Sequence, residues 1–294
     1  MKKKNIIALT LTATLSLSLL AACGGGSATT PAPQESTPAE ETAPVETGAP
    51  ETTVVTVGVV GANNDQWITV NELLAAENIE VEIKEFSAYN IPNDALNAGE
   101  IDLNAFQHKA YLNNEIEAQG YDITVLGDTI IAPLSLYSDK ITSVGELKEG
   151  DQIAVPQDPT NEGRCLKILE AQGVLKVDPA AGYMPELKDI TENPLNLKFV
   201  EVEAAQTSTM LPDVAAAFIN GAHASDAGLT PDDAICTETV EPGSDNPYIN
   251  IIACRTADLE NETYLKVLAA YQSAETAQAI KDIYKGLYIP AFQY

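Results

Sequence analysis

The hydrophobic pattern of this 294-residue chain changes twice along its length. Residues 5–22 are mainly apolar, whereas residues 24–53 are rich in Gly, Ser, Thr, Pro and Glu. From Val54 onward, short runs of β-branched and other apolar residues alternate with stretches whose apolar residues recur at helical spacing. Alternating strands and helices are typical of α/β proteins, so residues 54–294 are predicted to form an α/β fold with mostly parallel sheets.

The individual segments follow from the periodicity. Apolar or alternating runs predict the strands, which lie at residues 54–60, 81–86, 101–106, 121–127, 130–137, 152–156, 197–202 and 215–220. Helical spacing predicts the helices, at residues 65–78, 92–99, 158–172, 208–214 and 261–285. A folded region of this length exceeds a comfortable single core, so we predict two lobes.

The N-terminal residues have the pattern of a secretory signal. Three lysines open the chain, and the apolar run ends in small residues before Cys23. A permanent transmembrane anchor is the alternative, but the run is marginal in length and no basic residue stops it. The residues L-A-A-C at 20–23 resemble a bacterial lipobox. Residues 1–22 are therefore predicted to be a lipoprotein signal peptide, and Cys23 to be the lipidation site.

The segment 23–53 is predicted to be a flexible tether. Three glycines follow Cys23, and Ser, Thr, Pro and Glu recur up to Thr53. Such a composition cannot bury enough apolar surface to fold. Stable anchoring needs more than one acyl chain, which a diacylglyceryl cysteine supplies. We therefore expect a soluble domain outside the cytoplasm, lipid-anchored to the cell membrane through the acylated Cys23.

Charge excludes two kinds of partner. The chain has 43 acidic residues, and without the three lysines of the leader it has 13 basic ones. No cluster of Lys or Arg interrupts this excess of acid. A strongly negative protein is repelled by phosphate backbones and by anionic lipid surfaces. We therefore predict no nucleic-acid partner and no adsorption to an anionic bilayer.

Arg164 is a candidate for binding an anion. It is one of two arginines, the other being Arg255, and it follows the loop D-P-T-N-E-G at 158–163. Asp158 or Thr160 can cap a helix that begins there, and the N–H groups of a helix N-terminus favour a carboxylate. Arginine binds carboxylates through two parallel N–H bonds. The alternative is a surface arginine on an amphipathic helix, which is less favoured in so acidic a chain.

The segment N-A-F-Q-H-K-A-Y at 104–111 gathers Phe106, His108 and Tyr111. His108 could be a catalytic base, a metal ligand, a core residue or part of a ligand-binding wall. No nucleophile stands nearby, and polar residues interrupt any plain core strand. We therefore favour an aromatic wall of a ligand cleft at the end of a strand. We interpret the other histidine, His223, as structural.

Three cysteines lie in the predicted folded region, namely Cys165, Cys236 and Cys254. Cys236 and Cys254 flank an apparent hairpin, so a cross-strand disulfide and two core thiols are both open. The sequence has no C-x-x-C, no metal-ligand spacing, and no phosphate-loop, dinucleotide or nucleophile-elbow motif. We therefore predict no cofactor, no metal and no catalytic residue.

Five motifs, in this order after the lipobox, resemble the NLPA lipoprotein family. They are N-A-F-Q-H-K-A-Y-L, V-P-Q-D-P-T-N-E-G-R, E-N-P-L-N-L-K, F-I-N-x-x-x-A and N-P-Y-I-N-I-I. Members are the methionine-binding lipoproteins of ABC importers. The resemblance implies a two-lobed periplasmic-binding-protein fold of the second type, with the ligand in the interlobe cleft. Lobe 1 is then expected at residues 54–136 plus 248–294, and lobe 2 at residues 137–247.

The resemblance also implies the ligand site and its partners. Four residues are similar to the family's thioether pocket, namely Tyr89, Phe106, His108 and Tyr111. Arg164 resembles its carboxylate clamp. Three residues are similar to those that hold the amino and carboxylate groups, namely Asn161, Asn220 and Asn250. The ligand implied is L-methionine or a related amino acid, and the partner is the permease and ATPase of an ABC transporter.

Three classes of function compete on the sequence. We favour a solute-binding receptor for an importer, because the lipobox, the tether and the lack of a catalytic motif all agree with it. Its ligand is methionine or, alternatively, another small amino acid or a dipeptide. An exported enzyme on the same fold needs a nucleophile, base and orienting group that the sequence does not show. An adhesive or signalling lipoprotein is the third class.

Overall fold

The structure is a computed structural model that describes residues 51–240 and 245–294. The predicted signal peptide 1–22, Cys23 and nearly all of the tether 23–53 lie outside the described residues. Within the described ranges, no helix has both the length and the apolar character needed to cross a membrane.

Strands and helices alternate from the first described strand onward. In chain order they are β1 Thr53–Val60, α1 Gln66–Leu74, β2 Ile79–Phe86, α2 Pro92–Asn97, β3 Leu103–Asn104, α3 Lys109–Gln119, β4 Ile123–Ile131, β5 Ser135–Tyr137, β6 Gln152–Pro156, α4 Pro159–Ala171, β7 Lys176–Val177, β8 Ile190–Glu192, β9 Lys198–Val202, β10 Ala216–Ile219, α5 Gly221–Asp226, β11 Ala234–Thr237, β12 Ile249–Arg255, α6 Glu262–Tyr271, α7 Ala274–Tyr284 and β13 Ile289–Pro290. The α/β alternation is therefore confirmed.

A six-stranded sheet has the order β2-β1-β3-β12-β4-β13. Strand β1 runs parallel to both β2 and β3, whereas β12 runs antiparallel to its two neighbours, β3 and β4. The buried β-branched residues of β1, such as Val57 and Val59, explain its central place, because both faces of the sheet are covered there.

A five-stranded sheet has the order β9-β6-β10-β5-β11 and repeats this arrangement. Strand β6 runs parallel to β9 and β10, and β5 runs antiparallel to β10 and β11. The chain passes between the two sheets twice. The first crossover segment, 132–134, joins β4 to β5, and the second, 238–248, joins β11 to β12.

The prediction of mostly parallel sheets is wrong, because both sheets are mixed. Each sheet contains three parallel strands, which are β2-β1-β3 in one sheet and β9-β6-β10 in the other. The next strand, β12 or β5, is joined to a crossover segment and runs antiparallel to these three. An α/β crossover through a helix returns a strand parallel to the previous one. The described residues of the two short crossover segments form no such helix, and hydrophobic periodicity does not reveal this difference.

The predicted hairpin between Cys236 and Cys254 is also wrong. Cys236 lies in β11 of the five-stranded sheet, whereas Cys254 lies in β12 of the six-stranded sheet. The chain therefore passes from one sheet to the other between the two cysteines. Both are free thiols, as is the buried Cys165, so the disulfide alternative is contradicted.

Several local elements differ from the periodicity-based prediction, including the unpredicted helix α5 and the three that follow. The helix predicted at 208–214 is a short 3-10 helix at Ala204–Met210. The segment 261–285 forms two helices, because the Ser273 side chain caps a new helix start by accepting a hydrogen bond from the Thr276 N–H. Helix α3 was not predicted, since its outer face is polar and its apolar residues gather near its first turn.

Candidate functional site

One cavity lies at the carboxyl ends of the parallel strands of both sheets. In open α/β sheets, ligand sites form outside these strand ends, where the loops that leave neighbouring strands diverge. The cavity is lined by residues that follow β1, β2 and β3 of one sheet and β6 and β10 of the other. The two sheets therefore contribute to the same site.

All eight residues predicted to bind a ligand line this cavity, namely Tyr89, Phe106, His108, Tyr111, Asn161, Arg164, Asn220 and Asn250. They come from five places in the chain. Tyr89 follows β2, the motif at 106–111 spans the loop between β3 and α3, and Asn161 and Arg164 stand in the first turns of α4. Asn220 precedes α5, and Asn250 belongs to β12.

Three rings form a compact aromatic group in the cavity wall. The ring centroids of Tyr89, Phe106 and Tyr111 are separated by 5.9 Å, 6.0 Å and 5.9 Å. His223 does not line the cavity but packs behind this group, with its ring centroid 5.1 Å from that of Tyr89. Each ring is thus held by at least two others, which gives the wall a fixed shape.

His108 begins helix α3. Its Nδ1 accepts a hydrogen bond from the Tyr111 N–H at 3.0 Å, so the ring caps the helix. This leaves Nε2 to carry the proton and face Asn161 Oδ1 at 3.4 Å. Burial, and then the charge of Arg164, lower the pKa of His108 to about 3. His108 is therefore neutral at physiological pH and is unsuited to act as a base there.

The polar residues around His108 have structural partners. Asn104 and Gln107 are buried, and both bond the side chain of Asn93, at 2.9 Å and 2.6 Å. Lys109 forms an ion pair with Asp128 at 2.8 Å. Satisfied amide networks of this kind fix a loop in place. The interruption of the apolar pattern that favoured a ligand wall therefore has a structural cause of its own.

The first turn of α4 is capped by Asp158. Its Oδ1 accepts a hydrogen bond from the Asn161 N–H at 2.9 Å, and both of its carboxylate oxygens accept from Asn161 Nδ2 at 3.0 Å. Asn161 Oδ1 then accepts from Asn220 Nδ2 at 2.9 Å. Among the described residues, Asn220 Oδ1 is buried without a hydrogen-bond partner. This oxygen can accept a donor from a molecule in the cavity.

Arg164 is only 3 % exposed and is surrounded by partners. Its Nε donates to Glu238 Oε1 at 2.8 Å, and its Nη2 donates to Glu238 Oε2 and to the Ala132 carbonyl oxygen. The Tyr248 ring lies 4.6 Å from the guanidinium carbon. The predicted clamp residue is therefore in the cavity, and one edge of its guanidinium already holds a carboxylate.

The sequence-based reasoning missed several residues of this site. Asn64, Gln66 and Tyr288 also line the cavity, and Glu238 and Tyr248 contact Arg164. Glu238 is separated from Arg164 by 74 positions, and no spacing rule joins them. Tyr248 could have been predicted from the sequence, because it belongs to the N-P-Y-I-N-I-I motif that also contains Asn250.

A family profile described as NlpA lipoprotein matches residues 55–292. The chain belongs to the NlpA lipoprotein family. Among its curated relatives is the D-methionine-binding lipoprotein MetQ of Salmonella typhimurium, which is 42% identical over 237 residues. That match covers 79% of this chain and 86% of the relative.

Two solved structures share the fold of this chain. A crystal structure of the methionine-binding protein MetQ is 39% identical, with a TM-score of 0.78, and covers 82% of this chain and 99% of that one. A nutrient-binding protein from Burkholderia cenocepacia bound to methionine is 39% identical, with a TM-score of 0.76, and covers 81% and 100%. The chain therefore has the two-lobed periplasmic-binding-protein fold.

Family membership also sets the class of the protein. The relatives above carry the names of binding proteins, so the chain is assigned to the solute-binding class rather than to the enzymes. A lipoprotein family consists of membrane-anchored extracytoplasmic proteins. Within residues 51–240 and 245–294, no group of three or more His, Cys, Asp or Glu side chains could hold a metal ion.

The lowered pKa of His108 predicts how stability depends on pH. An unfolded histidine titrates near pH 6.5, so below that pH only the unfolded state takes up this proton. The free energy of unfolding then falls as the pH drops from about 6.5 toward 3. Linkage puts the loss at about 2 kcal/mol at pH 5. His108→Asn keeps a helix cap and should lose about 2 kcal/mol less than the wild type between pH 7 and pH 5.

Urea unfolding at the two pH values measures this difference. The carboxylates and His223 are shared by both proteins, so their contributions cancel in the comparison. Equal pH dependence of the two proteins would show that His108 takes up its proton in the folded state.

Proposed function

We propose that the protein binds methionine in this cavity and delivers it to the permease and ATPase of an ABC transporter. The observation that carries the proposal is the pairing, in one cavity, of a three-ring aromatic group with a single buried arginine. The relatives named for methionine, at 39% to 42% identity, support the same ligand.

The aromatic group suits a thioether. Sulfur makes favourable contacts about 5 Å from aromatic rings, often at the ring edge. The rings of Tyr89, Phe106 and Tyr111 offer both faces and edges, because their planes are tilted at 36°, 68° and 74° to one another. Burial raises the pKa of the Tyr89 and Tyr111 hydroxyls, so both rings stay uncharged beside an apolar chain.

The polar residues suit the charged ends of an amino acid. In the part of the chain that the structure describes, Arg164 is the one cationic side chain that lines the cavity at neutral pH, and we assign it to the ligand carboxylate. Asn220 Oδ1 is a buried acceptor that the described residues leave unpaired, and Asn220 lines the cavity, so we assign this oxygen to the ligand ammonium. Asn161 and Asn250 are assigned supporting hydrogen bonds. These assignments leave no charged end of the ligand without a partner.

A thermal-shift screen tests the ligand. Protein that has been unfolded and refolded to remove bound solutes is heated with each amino acid, including both enantiomers of methionine. Methionine should raise the melting temperature in proportion to the logarithm of its concentration, because it binds the native state only. If charged amino acids shift the transition and methionine does not, the assignment of the pocket is wrong.

Removing the arginine should weaken binding strongly. Arg164→Ala is expected to cost roughly 2–5 kcal/mol of binding free energy, because it leaves the ligand carboxylate buried without a cation. The loss corresponds to an affinity lower by about 30-fold to several thousand-fold. Arg164→Lys should recover only part, since an ammonium lacks the planar set of donors with which the guanidinium can hold Glu238 and a ligand carboxylate together. Isothermal titration calorimetry with methionine measures the loss.

Arg255→Ala is the matched control, because Arg255 pairs with Asp258 and does not line the cavity. Circular dichroism confirms that each variant is folded before titration. An Arg164→Ala protein that binds methionine within threefold of the wild type would mean that other groups hold the carboxylate.

The membrane anchor is the remaining part of the proposal. We propose that Cys23 is acylated and that residues 24–53 tether the domain. Cys23→Ser should then move the protein from the membrane fraction to the soluble fraction and leave methionine binding unchanged. Detergent phase partitioning of both proteins tests this. Equal partitioning would place the anchor elsewhere.

A further inference from the structure

The guanidinium of Arg164 has two edges with different uses. Arginine carries five N–H donors, one on Nε and two on each terminal nitrogen. The donor of Nε and both donors of Nη2 are used by Glu238 and by the Ala132 carbonyl oxygen. The two donors of Nη1 have no partner within residues 51–240 and 245–294. The edge away from Glu238 is therefore the one left for a ligand.

Glu238 is itself held in place by the backbone. Its Oε2 accepts a hydrogen bond from the Leu134 N–H at 3.2 Å, and its own N–H donates to the Leu134 carbonyl oxygen at 2.9 Å. Its side chain is 14 % exposed and does not line the cavity. The two hydrogen bonds with the Leu134 backbone hold Glu238 in one position, so its carboxylate also fixes the guanidinium that it binds.

The pair also sets the charge that the cavity presents. Among the described residues, no carboxylate lines the cavity, Arg164 is its cationic side chain, and His108 is neutral. Arg164 and Glu238 together carry no net charge. A zwitterionic amino acid leaves this sum at zero, whereas an anion of the same shape adds one uncompensated negative charge. Burying an uncompensated charge is costly, so the pair disfavours the anion.

We propose that Glu238 is the positioning and specificity-determining residue of the site. It turns the guanidinium so that Nη1 meets the ligand carboxylate, and it cancels the charge of Arg164 so that the cavity selects zwitterions over anions. This proposal rests on the proposed function, because it takes the ligand to be an α-amino acid. It concerns a residue outside the cavity that acts through Arg164.

The test compares two ligands of one shape and different charge. Methionine is the zwitterion, and 4-(methylsulfanyl)butanoate is the same molecule without the ammonium group. Calorimetry gives the dissociation constants of both for the full wild-type chain and for Glu238→Gln. We expect methionine to bind Glu238→Gln about tenfold more weakly or worse. The preference for methionine over the butanoate should fall by about tenfold or more, because the unpaired arginine now attracts the anion.

Two further variants separate positioning from folding. Glu238→Asp keeps the charge and should restore the preference for the zwitterion to near the wild-type value. Asp258→Asn removes the carboxylate that pairs with the other arginine, Arg255, at 2.7 Å, and should leave both affinities unchanged. A loss of affinity by the same factor for both ligands in Glu238→Gln would overturn the proposal, as would tighter binding of methionine.

If the proposed function is wrong, the wild-type chain will bind no methionine. A measurement without ligand tests the role of Glu238 separately from that failure. The chain has two arginines, so its NMR spectrum contains two arginine Nε–H signals. In the ligand-free protein, Glu238→Gln should shift the Arg164 signal and speed its exchange with water, and leave that of Arg255 in place. Asp258→Asn should do the reverse. An Arg164 signal that Glu238→Gln leaves unchanged would show that the carboxylate does not position the guanidinium.

Discussion

A buried guanidinium needs a counter-charge, and this requirement joins the cavity to the two segments that connect the sheets. Arg164 stands at the start of α4, yet its partners are Ala132 in the first crossover segment and Glu238 and Tyr248 in the second. An unpaired charge in this position would cost several kcal/mol. The position of the crossover segments therefore determines both the pairing of Arg164 and the geometry of the binding site.

The aromatic wall is supported in a different way. Tyr89, Phe106 and Tyr111 come from loops and a helix start, which are mobile in isolation. Hydrogen bonds hold these segments in place. They are made by the buried amide groups around Asn93 and by the ring of His108 at the start of α3. The hydrogen bonds behind the wall thus hold its three rings in place.

Much of the fold was predictable, because buried strands and amphipathic helices each produce a characteristic local spacing of apolar residues. The strands at 54–60 and 152–156 and the helix at 158–172 were found with bounds that lie within one residue of the structure at each end. Arg164 stood out by composition, since a lone arginine in an acidic chain has few ordinary roles. Tyr89, Asn220 and Asn250 came from the family resemblance, because nothing in their local spacing marks them.

The remaining features depend on contacts between distant parts of the chain. Strand direction follows from where a segment crosses between sheets, and the sequence of 238–248 reads equally well as a turn. The same ambiguity placed Cys236 and Cys254 on one hairpin, although they belong to different sheets. Glu238 is one acid among 43, and only its distance to Arg164 in space distinguishes it.

The place of β12 has a consequence for the order in which the protein assembles. This strand lies between β3 and β4, yet the chain reaches it only after every strand of the five-stranded sheet. The five-stranded sheet draws on the contiguous stretch 135–237 and has all its pairings available as soon as that stretch has been synthesised. Until β12 has been synthesised, the six-stranded sheet lacks the strand that joins β4 to the parallel strands β2, β1 and β3. The half that comes first in the sequence is therefore completed last, and the cavity, which needs Asn250, forms at that final step.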